Sequence, residues 1–273
     1  MTDPLKAIET EQKLVGYEGP DKVISSYDML HKVVNQKGGE VVIYSGLPTL
    51  DEVLGGFEAG ELTVISGPTG NGKTLFSQTL TYNFTFSEHH SLWFSYEVTP
   101  KNFLKAFGES LPLFYLPETL KMNALDWLEE RVYEAKLKYN CRAVFIDHLH
   151  FLVDMRTKNN MSLEIGHTMR SIKKLALKYN LCFFLIAHTS KTKMDDEIGL
   201  DSIRDSSFIG QEADNVLMVW RKPEADREAN LKVVKNRKNG SYKKIDIVKN
   251  ANGFLIEADD YARIAESNAY ARE

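Results

Sequence analysis

The sequence predicts an α/β protein, with a mostly parallel central sheet flanked by helices and an antiparallel hairpin near its carboxyl end. Three observations carry that prediction. From Leu47 onward, short apolar runs alternate with longer helical stretches, the order expected of strands and crossover helices. The runs are continuous rather than alternating, as strands buried on both faces require. After Arg221 the pattern changes, and two strand-like runs are joined by Lys238-Asn239-Gly240-Ser241, an Asn-Gly hairpin signal.

The predicted parallel strands are residues 62–65, 92–94, 143–146, 182–186 and 216–220, with helices over 73–82, 123–139 and 162–179. The hairpin strands are 231–237 and 242–248. Ahead of this body lies a polar arm, residues 1–45, with one helix predicted over 21–36. Its Val23, Ile24, Met29, Leu30, Val33 and Val34 fall near one stripe, and Pro20 and Gly38-Gly39 punctuate its ends. The helix packs either on its own core or, as an arm, on a neighbouring subunit. Residues 46–258 form the main domain and 259–273 a polar tail.

Composition narrows the function. A chain of 273 residues suits one large domain, alone or with a short appendage. The 43% hydrophobic and 26% charged content is that of a globular protein with a sizeable core. A net charge of −4 excludes a uniformly basic nucleic-acid coat, so DNA or RNA would need a local basic patch. Two cysteines, Cys141 and Cys182, supply neither a four-cysteine zinc site nor a disulfide scaffold, which points to a reducing compartment. No apolar run approaches the roughly 18 residues that span a bilayer. The opening MTDPLKAIETEQK reads as neither a signal nor a transit peptide. The expected location is the cytoplasm.

The strongest chemical signal is Gly67-Pro68-Thr69-Gly70-Asn71-Gly72-Lys73-Thr74, a phosphate loop between a predicted strand and a predicted helix. Its glycines let backbone N–H groups wrap an anion, and the following helix, continuing through Leu75, presents its positive end. Lys73 reaches the β- and γ-phosphates, and the Thr74 hydroxyl ligates Mg²⁺. Asp147, ending the run 143–146, supplies the acidic partner for that metal. ATP and Mg²⁺ are thus the expected ligands. Glu97 follows the strand at 92–96 and is placed to activate water; His188 ends the strand at 182–186 and is placed to sense the γ-phosphate.

Taken in order, several segments resemble the Twinkle-like and phage primase–helicase-like replicative DNA helicases, and more distantly DnaB. They are Gly56 to Gly70, Trp93-Phe94-Ser95-Tyr96-Glu97, Ile146 to Phe151, Ile186-Ala187-His188, Gln211 to Leu217 and Lys235-Asn236-Arg237. The resemblance covers roughly residues 46–257. It implies a RecA-like ATPase domain in a homo-oligomer, a hexameric ring with ATP sites between subunits, moving 5′ to 3′ on single-stranded DNA. Arg237 is then the finger that reaches the neighbour's γ-phosphate, with Lys235 its partner; such a finger is worth about 10³ to 10⁵ in rate. The channel loops implied to grip DNA carry Arg156 and Lys158, and Lys191, Lys193 and Arg204. The helix at 21–36 takes the place of the family's linker helix, which moves its reading toward an inter-subunit arm. No primase-like, zinc-binding or DnaB-type helical domain is visible ahead of the motor, so the reading leaves priming out. Loader, primase and polymerase are the implied replisome partners. Two other classes share the fold: a RadA-like recombinase and a KaiC-like ATPase that switches a protein partner.

Overall fold

The computed structural model describes residues 12–19, 22–34, 41–153, 161–188, 206–221 and 227–263. The chain divides into two units, Met1–Glu40 and Val41–Glu273. The first contains helix α1, Ser26–Val34. The helix starts later than the predicted Asp21 because Ser25 caps it: its hydroxyl accepts from the Asp28 N–H at 3.0 Å and donates to the Asp28 carboxylate at 2.6 Å. Val23 and Ile24 therefore precede the helix, and Tyr27, Met29 and Leu30 are exposed on it.

The second unit is built on an eight-stranded sheet. In chain order its elements are β1 (Val42–Ile43), α2 (Pro48–Leu54), β2 (Phe57–Glu58), β3 (Leu62–Gly67), α3 (Lys73–Phe86), β4 (Ser91–Ser95), α4 (Pro100–Lys105), α5 (Leu125–Tyr139), β5 (Ala143–Asp147), α6 (Met161–Tyr179), β6 (Cys182–His188), α7 (Ser206–Glu212), β7 (Asn215–Arg221), β8 (Glu228–Asn236), β9 (Lys243–Lys249) and β10 (Leu255–Glu257). The large sheet runs β10-β9-β8-β7-β3-β6-β5-β4, while β1 and β2 form a separate ribbon. β7, β3, β6, β5 and β4 are mutually parallel, and β8, β9 and β10 continue the sheet antiparallel.

All five predicted parallel strands are present, each extended by a residue or more, and β3, β4 and β5 are buried along their whole length. Alternate side chains feed two cores, one on each face. Val144, Ile146, Phe183 and Leu185 meet α5 and α6 through Leu128, Val132, Ile172 and Ala176. Phe145, Phe184, Ile65 and Ile186 meet α2 and α3 through Leu50, Leu54, Phe76 and Leu80. On this second face Trp93, Phe145 and Phe184 occupy directly paired positions of β4, β5 and β6. Their rings stack at 4.6 Å in both steps, an aromatic ladder across three strands.

α3 is longer than the predicted 73–82 and is rich in buried hydroxyls. Each satisfies itself by donating to the carbonyl four residues back, as in Ser77 to Lys73, Thr79 to Leu75 and Thr81 to Ser77. Thr81 in turn accepts from the Trp93 indole N–H at 2.8 Å, and Thr79 accepts from the Leu255 N–H at 3.0 Å. These two bonds fix the helix to the sheet at β4 and β10.

The carboxyl-terminal hairpin differs from its expectation. β8 and β9 pair antiparallel, but pairing stops at Val233 and Lys243, leaving a longer connection than an Asn-Gly turn needs. Beyond that point β8 stays paired with β7 as far as Asn236 and Asn215. The Asn236 and Asn239 amides both donate to the Val53 carbonyl at the end of α2. The connection turns on itself, with the Gly240 N–H donating to the Asn236 carbonyl at 3.0 Å, and these two amides also tie it to α2. A helix over residues 258–263 takes in the first five residues of the expected tail. Both cysteines are buried free thiols. Among the described residues no helix is long and apolar enough to cross a membrane.

The ladder generates a stability prediction. Phe145→Ala should cost about 3–5 kcal/mol, the usual range for emptying a fully buried aromatic site, whereas Phe145→Leu should cost much less. Urea unfolding checks it; an alanine variant within about 1 kcal/mol of wild type would mean that the ladder is not a stability centre.

Candidate functional site

The site forms where β3, β4, β5 and β6 end, because parallel strands release all their carboxyl ends on one edge of the sheet. Gly67 is the last residue of β3, paired with His188 at the end of β6. A Cβ on Gly67 would lie 2.0 Å from the Val219 carbonyl oxygen, and its φ is +151°, so only glycine permits this approach. Gly70 and Gly72 also have positive φ and turn the chain into α3. Asn71 holds the loop down: its side-chain oxygen accepts from the Arg221 N–H at 3.0 Å, and its amide donates to the Thr69 carbonyl at 3.0 Å.

Lys73, the first residue of α3, is buried, and its ammonium donates to the Gly67 and Pro68 carbonyls at 2.9 and 3.0 Å. Burial lowers its pKa against the opposing pull of the Glu97 and Asp147 charges. Thr74 donates its hydroxyl to Asp147 Oδ2 at 3.1 Å. Asp147 ends β5 and is almost wholly buried; burial first, and then the nearby Glu97 charge, push its pKa up to about 7. Its other oxygen, Oδ1, is buried without a hydrogen-bond partner among the described residues.

Glu97 sits two residues beyond the end of β4, and its carboxylate lies 3.6 Å from His188 Nε2. The other ring nitrogen of His188 lies 3.3 Å from the Thr69 hydroxyl. Glu97, beyond the end of β4, and Thr69 of the phosphate loop thus share one imidazole. The structure therefore brings together Thr69, Lys73, Thr74, Glu97, Asp147 and His188. It does not bring Lys235 or Arg237 to them. The Arg237 guanidinium donates to Asp214 at 2.9 Å and to the Gln211 carbonyl, and Asp214 receives the N–H of Leu62, the first residue of β3. Lys235 donates to the Gly210 and Ala213 carbonyls. Both cations lie at the amino end of β3. Five steps at about 3.3 Å each put the phosphate loop roughly 16 Å further along that strand. Arg156, Lys158, Lys191, Lys193 and Arg204 lie outside the described residues.

Two features escaped the sequence reading. A cavity of about 270 Å³ adjoins the phosphate loop, lined by Gly70, Asn71, Gly72 and Leu75 together with Val219, Arg221, Ala229 and Leu255. Its walls come from four distant segments that meet only once the strand order is known, so no local pattern marks it. The second is His148, whose ring packs edge-on against His188 at 4.4 Å. Its place inside the segment Ile146 to Phe151, directly after Asp147, was the available signal.

Known proteins resemble this chain at several levels. The DnaB-like helicase C-terminal domain family matches residues 109–257, and the KaiC ATPase family matches residues 43–111. The replicative DNA helicase DnaC of Bacillus subtilis is 23% identical over 278 aligned residues, covering 86% of this chain and 61% of that protein. The replicative DNA helicase DnaB of Mycoplasma genitalium is 25% identical over 76% of this chain and 53% of that protein. The chain thus spans only about half to three fifths of the length of these curated relatives. Among solved structures, a DnaB-like replicative helicase described with its interactions with primase superposes with a TM-score of 0.71 at 16% identity, covering 93% of this chain and 72% of that one. A second solved structure, an ATPase domain, also gives 0.71 at 16% identity, covering 84% of this chain and 96% of that one. Those likenesses show the RecA-like fold, and since the first family match takes in more than half of the sequence, the chain belongs to the DnaB-like helicase C-terminal domain family.

Proposed function

We propose that this chain is the ATP-hydrolysing motor of a ring-shaped replicative DNA helicase that moves along single-stranded DNA, 5′ to 3′, in the cytoplasm of a prokaryotic or phage-infected cell. The observation that supports it best is the division of the site across the sheet. The phosphate-loop cluster occupies the carboxyl end of β3, and Arg237 and Lys235 occupy its amino end. A guanidinium roughly 16 Å away cannot reach the phosphates of its own chain. Placed at a subunit boundary, it can reach those of a neighbour.

Within one site the roles follow from geometry and chemistry. The backbone N–H groups of the loop and the start of α3 receive the phosphates, which compete with the Gly67 and Pro68 carbonyls for Lys73. The adjoining cavity offers Leu75, Val219, Ala229 and Leu255 as apolar faces for the base. Thr74 and Asp147 hold Mg²⁺, and the partnerless Asp147 Oδ1 fits that task. No group of three or more His, Cys, Asp or Glu gathers among the described residues. The nucleotide oxygens and water would complete the coordination, as is usual for Mg²⁺. When bound, Mg²⁺ neutralises charge on the phosphate oxygens. Glu97 orients the attacking water and takes its proton, and His188, between Glu97 and Thr69, reads the γ-phosphate. Arg237 and Lys235 of the neighbour neutralise charge in the transition state.

Arg156, Lys158, Lys191, Lys193 and Arg204 are the proposed contacts to DNA phosphates, and α1 docks on an adjacent subunit. Loader, primase and polymerase are the proposed replisome partners. The KaiC match over residues 43–111 favours a second reading, an ATPase that switches a protein partner without touching DNA.

The deciding experiment is Mg²⁺-dependent ATP hydrolysis against protein concentration, with and without single-stranded DNA. Turnover per subunit should rise with concentration and with DNA; turnover indifferent to DNA supports the switch instead. Arg237→Ala should lower turnover about 10³-fold or more while nucleotide binding persists, and full DNA-stimulated turnover would remove the finger assignment. Deleting residues 1–40 should reduce the oligomer seen by light scattering; intact rings would refute the docking of α1.

Asp147 adds a pH prediction. Its folded pKa, about 7, lies above the usual carboxylate value of 3.8. The group therefore penalises the nucleotide-free fold increasingly as pH rises from about 4 to 7. Asp147→Asn should be more stable than wild type at about pH 8, by up to about 1.4 kcal/mol for each pH unit of the shift. The gap should narrow as pH falls toward about 5, and Mg²⁺-dependent nucleotide binding should be lost at every pH. Thermal melting across that pH range checks it, and a variant less stable than wild type at the alkaline end would contradict it.

A further inference from the structure

Asp214 lies between α7 and β7 and is among the most heavily bonded side chains outside the phosphate-loop cluster. Its side chain is 8% exposed. One carboxylate oxygen accepts from the Leu62 N–H at 2.8 Å and from the Lys173 ammonium of α6 at 2.6 Å. The other accepts from the Arg237 guanidinium at 2.9 Å. The main chain repeats the pattern: Asp214 N–H donates to the Leu62 carbonyl at 2.8 Å, and Arg237 N–H donates to the Asp214 carbonyl at 2.9 Å. The residue is thus fixed to the first position of β3 and holds Arg237 by both backbone and side chain.

The surroundings suit a mount for cations. α7 ends here, and its last carbonyls point at Lys235 and Arg237: Gly210 and Ala213 accept from Lys235, and Gln211 accepts from Arg237. Carbonyls at a helix end lack intrahelical donors and carry the negative end of the helix dipole. α7 is itself held to α6 by the Arg170–Glu212 pair at 2.8 Å. Arg237 remains 47% exposed, so the side of its fork not bound to Asp214 and Gln211 faces outward. A charge-assisted bond on one side leaves the other N–H groups for a phosphate.

We propose that Asp214 is the positioning residue for Arg237, fixing the guanidinium at the orientation in which it meets the neighbour's nucleotide, with the end of α7 doing the same for Lys235. This rests on the reading of Arg237 as the group that acts in trans. The physical gain is orientation. A free arginine samples many rotamers, whereas a guanidinium already tied to a buried carboxylate loses little freedom on meeting a second anion. The contact also keeps Lys173 and Arg237, two like charges, on opposite sides of one carboxylate.

Asp214→Asn separates positioning from folding. Asparagine keeps one oxygen for the Leu62 N–H and Lys173, but presents an amide N–H₂ to Arg237, which then has no acceptor there. In the full chain, kcat should fall roughly 10- to 100-fold, with the KM for ATP and the oligomer size unchanged. In an Arg237→Ala background the same substitution should change kcat less than about twofold, the signature of one residue acting through the other. Mixing Asp214→Asn with Lys73→Ala subunits should restore turnover above either alone, because the second variant supplies an intact Arg237 to the first.

A purely structural role would give additive losses in the double variant and no rescue on mixing. Turnover that rises in Asp214→Asn would make the contact a parking place instead. Either result overturns the proposal. If Arg237→Ala stays fully active, the trans reading itself fails; if it is inert while Asp214→Asn turns over normally, the positioning role alone fails. Should Asp214→Asn fold poorly, Asp214→Glu keeps the charge with a displaced carboxylate. It should lower kcat without changing KM, and unaltered turnover would count against the proposal.

Discussion

The phosphate loop depends on how closely β7 runs beside the end of β3. The Val219 carbonyl occupies the place where a side chain at residue 67 would begin. With glycine there, β3 can end against its neighbour β7 and the chain can pass into the phosphate loop ahead of α3. Asn71 then binds the Arg221 backbone and fixes the loop from above. Any larger residue at 67 would meet the Val219 backbone and force the two strands apart, moving the phosphate loop with them. A single van der Waals constraint therefore sets where the phosphate loop begins.

Charge is arranged along the same strand. At the carboxyl end of β3 a buried lysine faces two carboxylates, and burial disfavours the ionised forms of both Lys73 and Asp147. This is the state expected of groups whose opposite charges come with a ligand. At the amino end the balance is reversed. One buried carboxylate, Asp214, serves Lys173, Arg237 and the Leu62 backbone at once.

Much of this is legible in the sequence, and the particular residues show why. The phosphate loop is a local backbone device, so its glycines, lysine and threonine are adjacent in the chain. The parallel strands are continuous apolar runs because both of their faces are buried, and each is recognisable at the correct place. The antiparallel hairpin is present as read, but its connection is longer than Asn239-Gly240 suggests, and the bonds from Asn236 and Asn239 to Val53 in α2 are long-range. Apolar spacing alone starts α1 too early, since it continues through Val23 and Ile24, whereas the Ser25 cap sets the boundary.

The sequence by itself determined the phosphate-loop motif and the class of fold, because local motifs and hydrophobic periodicity are written in consecutive residues. Only the tertiary structure decided where those residues stand relative to one another. It set His188 between Glu97 and Thr69, assembled a cavity from segments scattered between Gly70 and Leu255, and moved Arg237 to the far end of β3 on Asp214. Each of these depends on strand order and register, which arise from long-range packing and leave no mark in any short stretch of chain.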